Sequence, residues 1–173
     1  VTGFSRSGDG VTLTLRAAES DLVRSLTSQL VTVLEQRASD TPADTELAEV
    51  GIGGATVAPA DPALARLLPD AYSADPVASA EHRRLTESGL LERKLTNART
   101  VLATLPRRNS QLSADDAQAW LRTLTDLRLT LASRLGIESD QDRGTGSPGV
   151  IAIYGWLGYL QSTLVDAIDP ASA

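Results

Sequence analysis

Cysteine is missing from this 173-residue sequence, and its absence removes disulfide frameworks, zinc–thiolate centres and thiol catalysis together. The same lack agrees with a reducing compartment, so the expected location is cytoplasmic. Aromatic residues make up only 3% of the chain against 42% hydrophobic residues overall, so the core must be built from Leu, Val, Ile and Ala, side chains that suit helix packing. No apolar run approaches the roughly 18 residues of a spanning helix, and no membrane partner is expected. Positive charge is in deficit. A formal net charge of −6 repels phosphate backbones and disfavours nucleic acid and anionic lipid as partners. The chain opens on Val1 rather than methionine, which is consistent with a missing native start or a removed signal peptide.

What remains is enough for one domain, 1–173, with a real core: a hairpin over 1–15, a helical body over 17–168, and loops at 38–60 and 137–147. Phe4, the turn "SGDG" at 7–10, and Val11, Leu13 and Leu15 alternating with threonine predict two strands leaning on helices. The period then changes. Leu22, Val23, Leu26, Leu30, Val33 and Leu34 line one face of a helix over 17–37. Asp61-Pro62 and Asp75-Pro76 pair an N-capping carboxylate with a first-turn proline, opening a short helix that ends before Pro69 and a long one from 76 to about 105. "SADD" at 113–116 is a capping box for a helix running to Gly136, and Ser147-Pro148 opens a last helix ending before Asp169-Pro170. The predicted fold class is mainly α: a bundle of four main helices and one short one, with an N-terminal β-hairpin.

Two apolar stripes contain charge. Leu91, Leu95, Ala98, Leu102 and Leu105 share a face of the long helix, and extending it backward brings in Ala80, Arg84, Glu87 and Ser88. On the next helix Arg128 falls within the stripe of Ala117, Trp120, Leu121, Leu124, Leu127, Leu131 and Leu135. A buried guanidinium needs a counter-charge, so Arg84 and Arg128 are expected to meet Glu87 and Glu81, with Asp70 and Tyr72 closing the set. Such a cluster is either a structural ion network fixing helix register or a pocket for an anionic carboxylate or phosphate group.

The last helix carries a core stripe of Ile153, Trp156, Leu157, Leu160, Leu164 and Ile168 and a second apolar strip of Ile151, Tyr154 and Val165 with Gly158 between them. Gly155 and Gly158 imply a close backbone neighbour. The strip is expected either to pack on the domain's own helices or to serve a protein partner or self-association.

Other signals are weaker. His82 is the single histidine and has no G-x-S-x-G elbow, so no catalytic residue is assigned. "GIGGAT" at 51–56 lacks dinucleotide or phosphate-loop spacing and reads as a connector. "ESDQDRG" at 138–144 lacks the third acidic ligand and closing glutamate of a calcium loop, so neither metal nor cofactor is expected. "RKLTNAR" and "PRRNSQ" concentrate basic residues near 93–111, but Glu87 and Glu92 are expected to balance Arg93, Lys94 and Arg99 on a solvated face. A helix-turn-helix around "LLPDAYSADP" would point acids at DNA.

The segments "RLLPDAYSADPVASAEHRRLTE", "AWLRTLTDLRLTLASRLGI" and "YGWLGYLQSTLVDAI" resemble an uncharacterised family of actinobacterial proteins with no established activity, and the resemblance extends over nearly the whole chain. Its motifs match Leu68 to Tyr72, then Glu81, Arg83, Arg84, Thr86 and Glu87, then Trp120, Leu121, Leu124, Asp126, Arg128 and Leu129. A bulkier or aromatic residue is usual where His82 stands. The resemblance implies genes often neighbouring the ClpS adaptor of the Clp protease, and a transcriptional-regulator label for some members. The leading expectation is therefore a non-enzymatic regulatory or protein-interaction domain connected with regulated proteolysis. A small-anion or metabolite-binding domain comes second and a transcriptional regulator third.

Overall fold

A computed structural model describes residues 2–8, 10–40, 54–105, 109–139 and 142–169. In chain order these form β1 (Gly3–Ser7), β2 (Gly10–Thr14), α1 (Ala17–Ser39), α2 (Pro62–Leu67), α3 (Pro76–Thr104), β3 (Asn109–Leu112), α4 (Ala114–Arg134) and α5 (Pro148–Ile168). Four long helices, one short helix and an N-terminal hairpin make this a mainly helical fold, as the periodicities predict. Parts of the expected connections, 41–53, 106–108, 140–141 and Asp9 of the first turn, lie outside the described residues, as does Pro170.

The boundaries follow from capping chemistry. Asp61 Oδ1 accepts from the Ala63 and Leu64 N–H groups at 2.8 and 3.0 Å, and Asp75 Oδ1 from Ala78 N–H at 2.9 Å, so each carboxylate satisfies orphan donors of the helix it opens. Ser113 and Asp116 exchange backbone N–H bonds at 3.1 Å in both directions, the reciprocal box of α4. At its other end Gly136 turns at φ +65°, letting Ile137 N–H donate to Ala132 O at 2.9 Å and Gly136 N–H to Ser133 O at 3.3 Å. This is the paired closure that a left-handed residue at C′ permits.

The sheet has the order β1-β2-β3, antiparallel throughout, with Phe4 opposite Leu13 and Val11 opposite Leu112. β3 has no period-two signal. Its sequence, NSQL, buries only Leu112, and it pairs because β2 offers an open edge. Phe4, Val11, Leu13 and Leu112 form the sheet's buried side, where Phe4 meets Trp120 edge-to-face at 5.5 Å. Trp120 is fully buried and donates its indole N–H to Thr104 Oγ1 at 2.8 Å. α3 and α4 run antiparallel, as shown by Trp120 meeting Thr104 while Asp126 meets Lys94.

The connection from α1 returns onto α3 at Gly54. A β-carbon built there would collide with the Arg84 carbonyl oxygen, while Ala55 beside it is buried. The connection expected as one loop over 38–60 therefore ends in a segment packed against a helix.

Candidate functional site

From the start of α3 the buried residues run Ser79, Arg83, Glu87, Leu91 and Leu95, one every four positions, before Ala98 and Val101 follow at three. Four residues turn about 40° beyond a full revolution, so the buried line slews around the helix axis instead of holding one face. Arg83, not Arg84, is consequently the inward guanidinium, at 5% exposure, and Glu87 lies beside it at 4%. Arg83 Nη1 donates to Glu87 Oε2, and its Nη2 donates to Asp70 Oδ1 at 2.8 Å and to Leu68 O at 3.0 Å. Arg37 of α1 closes the set, its Nε donating to Glu87 Oε1 at 2.7 Å and its Nη2 to Val57 O at 2.6 Å. Burial works against the charge on Arg83, but the Asp70 and Glu87 carboxylates outweigh it and hold its pKa above the ordinary arginine value. The network ties α1, the α2–α3 turn, the strap at Val57 and α3 together beside a cleft of about 240 Å3 that also meets Ser79 and His82.

Of the expected cluster, the structure joins Asp70 and Glu87 and leaves out the rest. Arg84 is on the outer side of α3, donating to Glu81 Oε1 at 2.6 Å, and Glu81 is exposed. That pairing draws the Glu81 carboxyl below its ordinary value, chiefly through the Arg84 hydrogen bond. Tyr72 is exposed and its ring stands edge-on to His82 at 5.9 Å. Only its backbone is fixed, its N–H donating to Ser79 Oγ at 3.0 Å and its carbonyl accepting from the same hydroxyl at 2.7 Å. His82 itself lies within 3.2 Å of the Thr86 hydroxyl on the exposed face.

Arg128 finds no carboxylate among the described residues. Its Nη1 donates to Gln161 Oε1 at 2.6 Å and its guanidinium stands 5.0 Å from the Tyr154 ring centroid, while Nε is buried without a partner. The charge is moderated by an amide and a π-face in place of the expected acids. Gly158 lies against it, and a β-carbon there would stand 3.5 Å from the guanidinium carbon, an ordinary contact distance. Ile151 and Tyr154 pack on Ala132, Leu135 and Ile137, Gly158 lies against Arg128, and only Val165 of the four is exposed. Gly155 has nothing near its missing β-carbon and Gly158 meets the Arg128 side chain, so among the described residues the expected close backbone neighbour is found at neither.

A second buried carboxylate was not singled out by periodicity. Asp126 of α4 is buried and accepts from Lys94 Nζ at 2.6 Å. Burial raises its pKa, and the Lys94 charge and hydrogen bond only partly oppose that rise. Asp126 has a place in the family motif, but Arg122, Thr125 and Thr130 around it on its own helix read as a solvated face. The basic density near residue 93 is likewise distributed differently than expected: Lys94 pairs with Asp126, Arg99 with Glu35 across to α1, and Glu87 is committed to the first network. Arg107 and Arg108 of "PRRNSQ" are outside the described residues. Arg93 and Arg122 make no hydrogen bond or ion pair among the described residues, and both border a groove of about 470 Å3 between α3 and α4.

In the remaining acidic loop, Asp142 accepts from the Glu138 and Ser139 N–H groups at 2.8 Å each, which lowers its pKa, the Glu138 bond first. It closes a turn. Among the described residues no group of three or more His, Asp or Glu is placed to hold a metal ion, and no helix is long and apolar enough to cross a membrane.

A model of the family described as "Domain of unknown function (DUF2017)" matches residues 1–168. A Mycobacterium tuberculosis protein named "Oxidative stress regulator AosR" is 34% identical over 182 residues, covering 93% of this chain and 83% of that protein. The Mycobacterium bovis protein of the same name matches to the same extent. No solved structure matches.

Proposed function

This chain belongs to the DUF2017 family, and from that premise we propose that it is a non-enzymatic regulatory domain, cytoplasmic, acting by contact with another protein in the oxidative-stress response for which its mycobacterial relatives are named. The observation that supports this reading is the commitment of the Arg83 guanidinium to its own protein, Nη1 donating to Glu87 and Nη2 to Leu68 O and Asp70. A buried guanidinium whose two terminal nitrogens are held by its own protein fixes geometry and offers little to a substrate. An anion pocket on Arg84, Arg128, Tyr72 and Glu87 is disfavoured because the four lie on separate faces, only Glu87 of them within the network.

The sequence holds neither cysteine nor methionine, the side chains that oxidants convert reversibly. In this reading an oxidant signal reaches the protein through its partner rather than through a sulfur of its own. Deleting the gene in its host and challenging with peroxide tests the proposal: survival should fall and return when the wild-type gene is restored, and unchanged survival refutes it. The link to regulated proteolysis that the family resemblance implies is the finer part of the proposal. An unaltered lifetime of a Clp-protease reporter in the deleted strain would remove it.

A further inference from the structure

The groove between α3 and α4 has a repeating lining. From α3 it receives Leu90, Arg93, Lys94 and Asn97, and from α4 it receives Arg122, Thr125, Asp126 and Leu129. Both sets follow the spacing i, i+3, i+4, i+7, two turns of one helical face, so the groove runs along a pair of parallel ridges about 10 Å long. This is the shape that accepts a third helix lying on the pair. Because α3 and α4 are antiparallel, Leu90 and Leu129 fall at one end, Asn97 and Arg122 at the other, and the Lys94–Asp126 pair between them.

The charge of the groove opposes that of the chain. Asp126 neutralises Lys94, whereas Arg93 and Arg122 are exposed and unpaired among the described residues, in a protein whose net charge is −6. Leu129 adds exposed apolar surface at 36%. Two guanidiniums set one and two turns along from an apolar seat at Leu90 and Leu129 match carboxylates at the same steps beside an apolar stripe. We propose that this groove is the docking site for an acidic amphipathic helix of a protein partner, its leucine-like residues over Leu90 and Leu129 and its carboxylates on Arg93 and Arg122. The inference rests on the protein-contact reading above and gives it an address and a ligand chemistry.

The test uses the purified full chain and two labelled synthetic peptides of roughly four helical turns. Each carries leucine at one-face spacing, flanked by glutamate in the first and by lysine in the second. Fluorescence anisotropy should show saturable binding of the glutamate peptide, about tenfold or more tighter than the lysine peptide and weakened by added salt. The double variant Arg93→Glu/Arg122→Glu should lose that binding by a similar factor, with an unchanged circular-dichroism melt because both side chains are exposed. Leu85→Glu, exposed on another side of α3, should leave it intact. Equal affinity for the two peptides, no saturation by the glutamate peptide, or binding retained by the double variant each overturns the proposal. So does displacement of the peptide by millimolar inorganic phosphate or by duplex DNA, which would assign the groove to a different ligand. The peroxide phenotype does not enter this measurement, so the groove and the stress role can fail separately.

Discussion

The two halves of α3 each bury a carboxylate against a neighbouring element, and they neutralise it differently. Toward the N-terminus Glu87 is shared between Arg83 and Arg37, and Arg83 also donates to Asp70 and the Leu68 carbonyl, so two cations meet two anions. Near the middle Asp126 has Lys94 alone, and burial outweighs the ammonium enough to raise its pKa. The first arrangement is closed on itself. The second leaves Arg93 and Arg122 facing outward beside it. A buried pair removed on one side leaves an uncompensated charge, while an exposed cation can be reversed at little cost to the fold. The first half of α3 therefore serves architecture, and the second has charge available for contact.

The comparison breaks most directly at Glu87. Glu87→Leu takes from the buried Arg83 its buried carboxylate, leaving it the half-exposed Asp70, and should cost on the order of 3 kcal/mol in a urea titration; a cost like that of a surface site would show the network to be solvated. Arg128→Leu, which removes an amide contact and a π contact but no ion pair, should cost about 1 kcal/mol. A loss comparable to that of Glu87→Leu would require a carboxylate partner that the structure does not place there. Arg84→Leu, one residue from the buried guanidinium, should change stability by less than about 0.5 kcal/mol.

The smallest effect is a slope. A carboxyl whose folded pKa is raised binds its proton more readily in the folded than in the unfolded state, so it favours folding below the unfolded value and loses that contribution as pH rises through the folded one. Asp126→Asn should accordingly flatten the decline in stability as pH rises above the ordinary aspartate range. Asp61 supplies the opposite sign. Its pKa is lowered, chiefly by the Leu64 N–H and further by Arg134 and Ala63 against a burial penalty, so its contribution is present above the ordinary range and fades as the medium acidifies. Asp61→Asn should flatten the acid side instead, and two variants with the same slope would show that these carboxyls do not set the profile.

Helix ends were legible because capping is local: Asp61, Asp75, Ser113 and Ser147 each announce a helix within four residues. The charged interior was legible as a region but not residue by residue. A straight stripe drawn back from Leu95 reaches Arg84, whereas the real contact line follows every fourth residue to Arg83, because α3 is covered by α4 along one stretch and by the α2–α3 turn and α1 along another. Thr27, fully buried, was missed in α1 for a related reason: its hydroxyl disguises a core position. Lys94–Asp126 joins residues 32 apart, and β3 takes its pairing from β2. Neither can be read from a single window of sequence.

Gly54 works as a latch whose catch is the absence of a methyl group. The chain can rejoin the helical body over Arg84 only where no side chain intervenes, and three residues later the Val57 carbonyl receives Arg37, the same arginine that holds Glu87. Lifting the strap by one substituent would thus slacken a distant ion pair through the polypeptide itself, making an unremarkable loop residue a tension point for the interior.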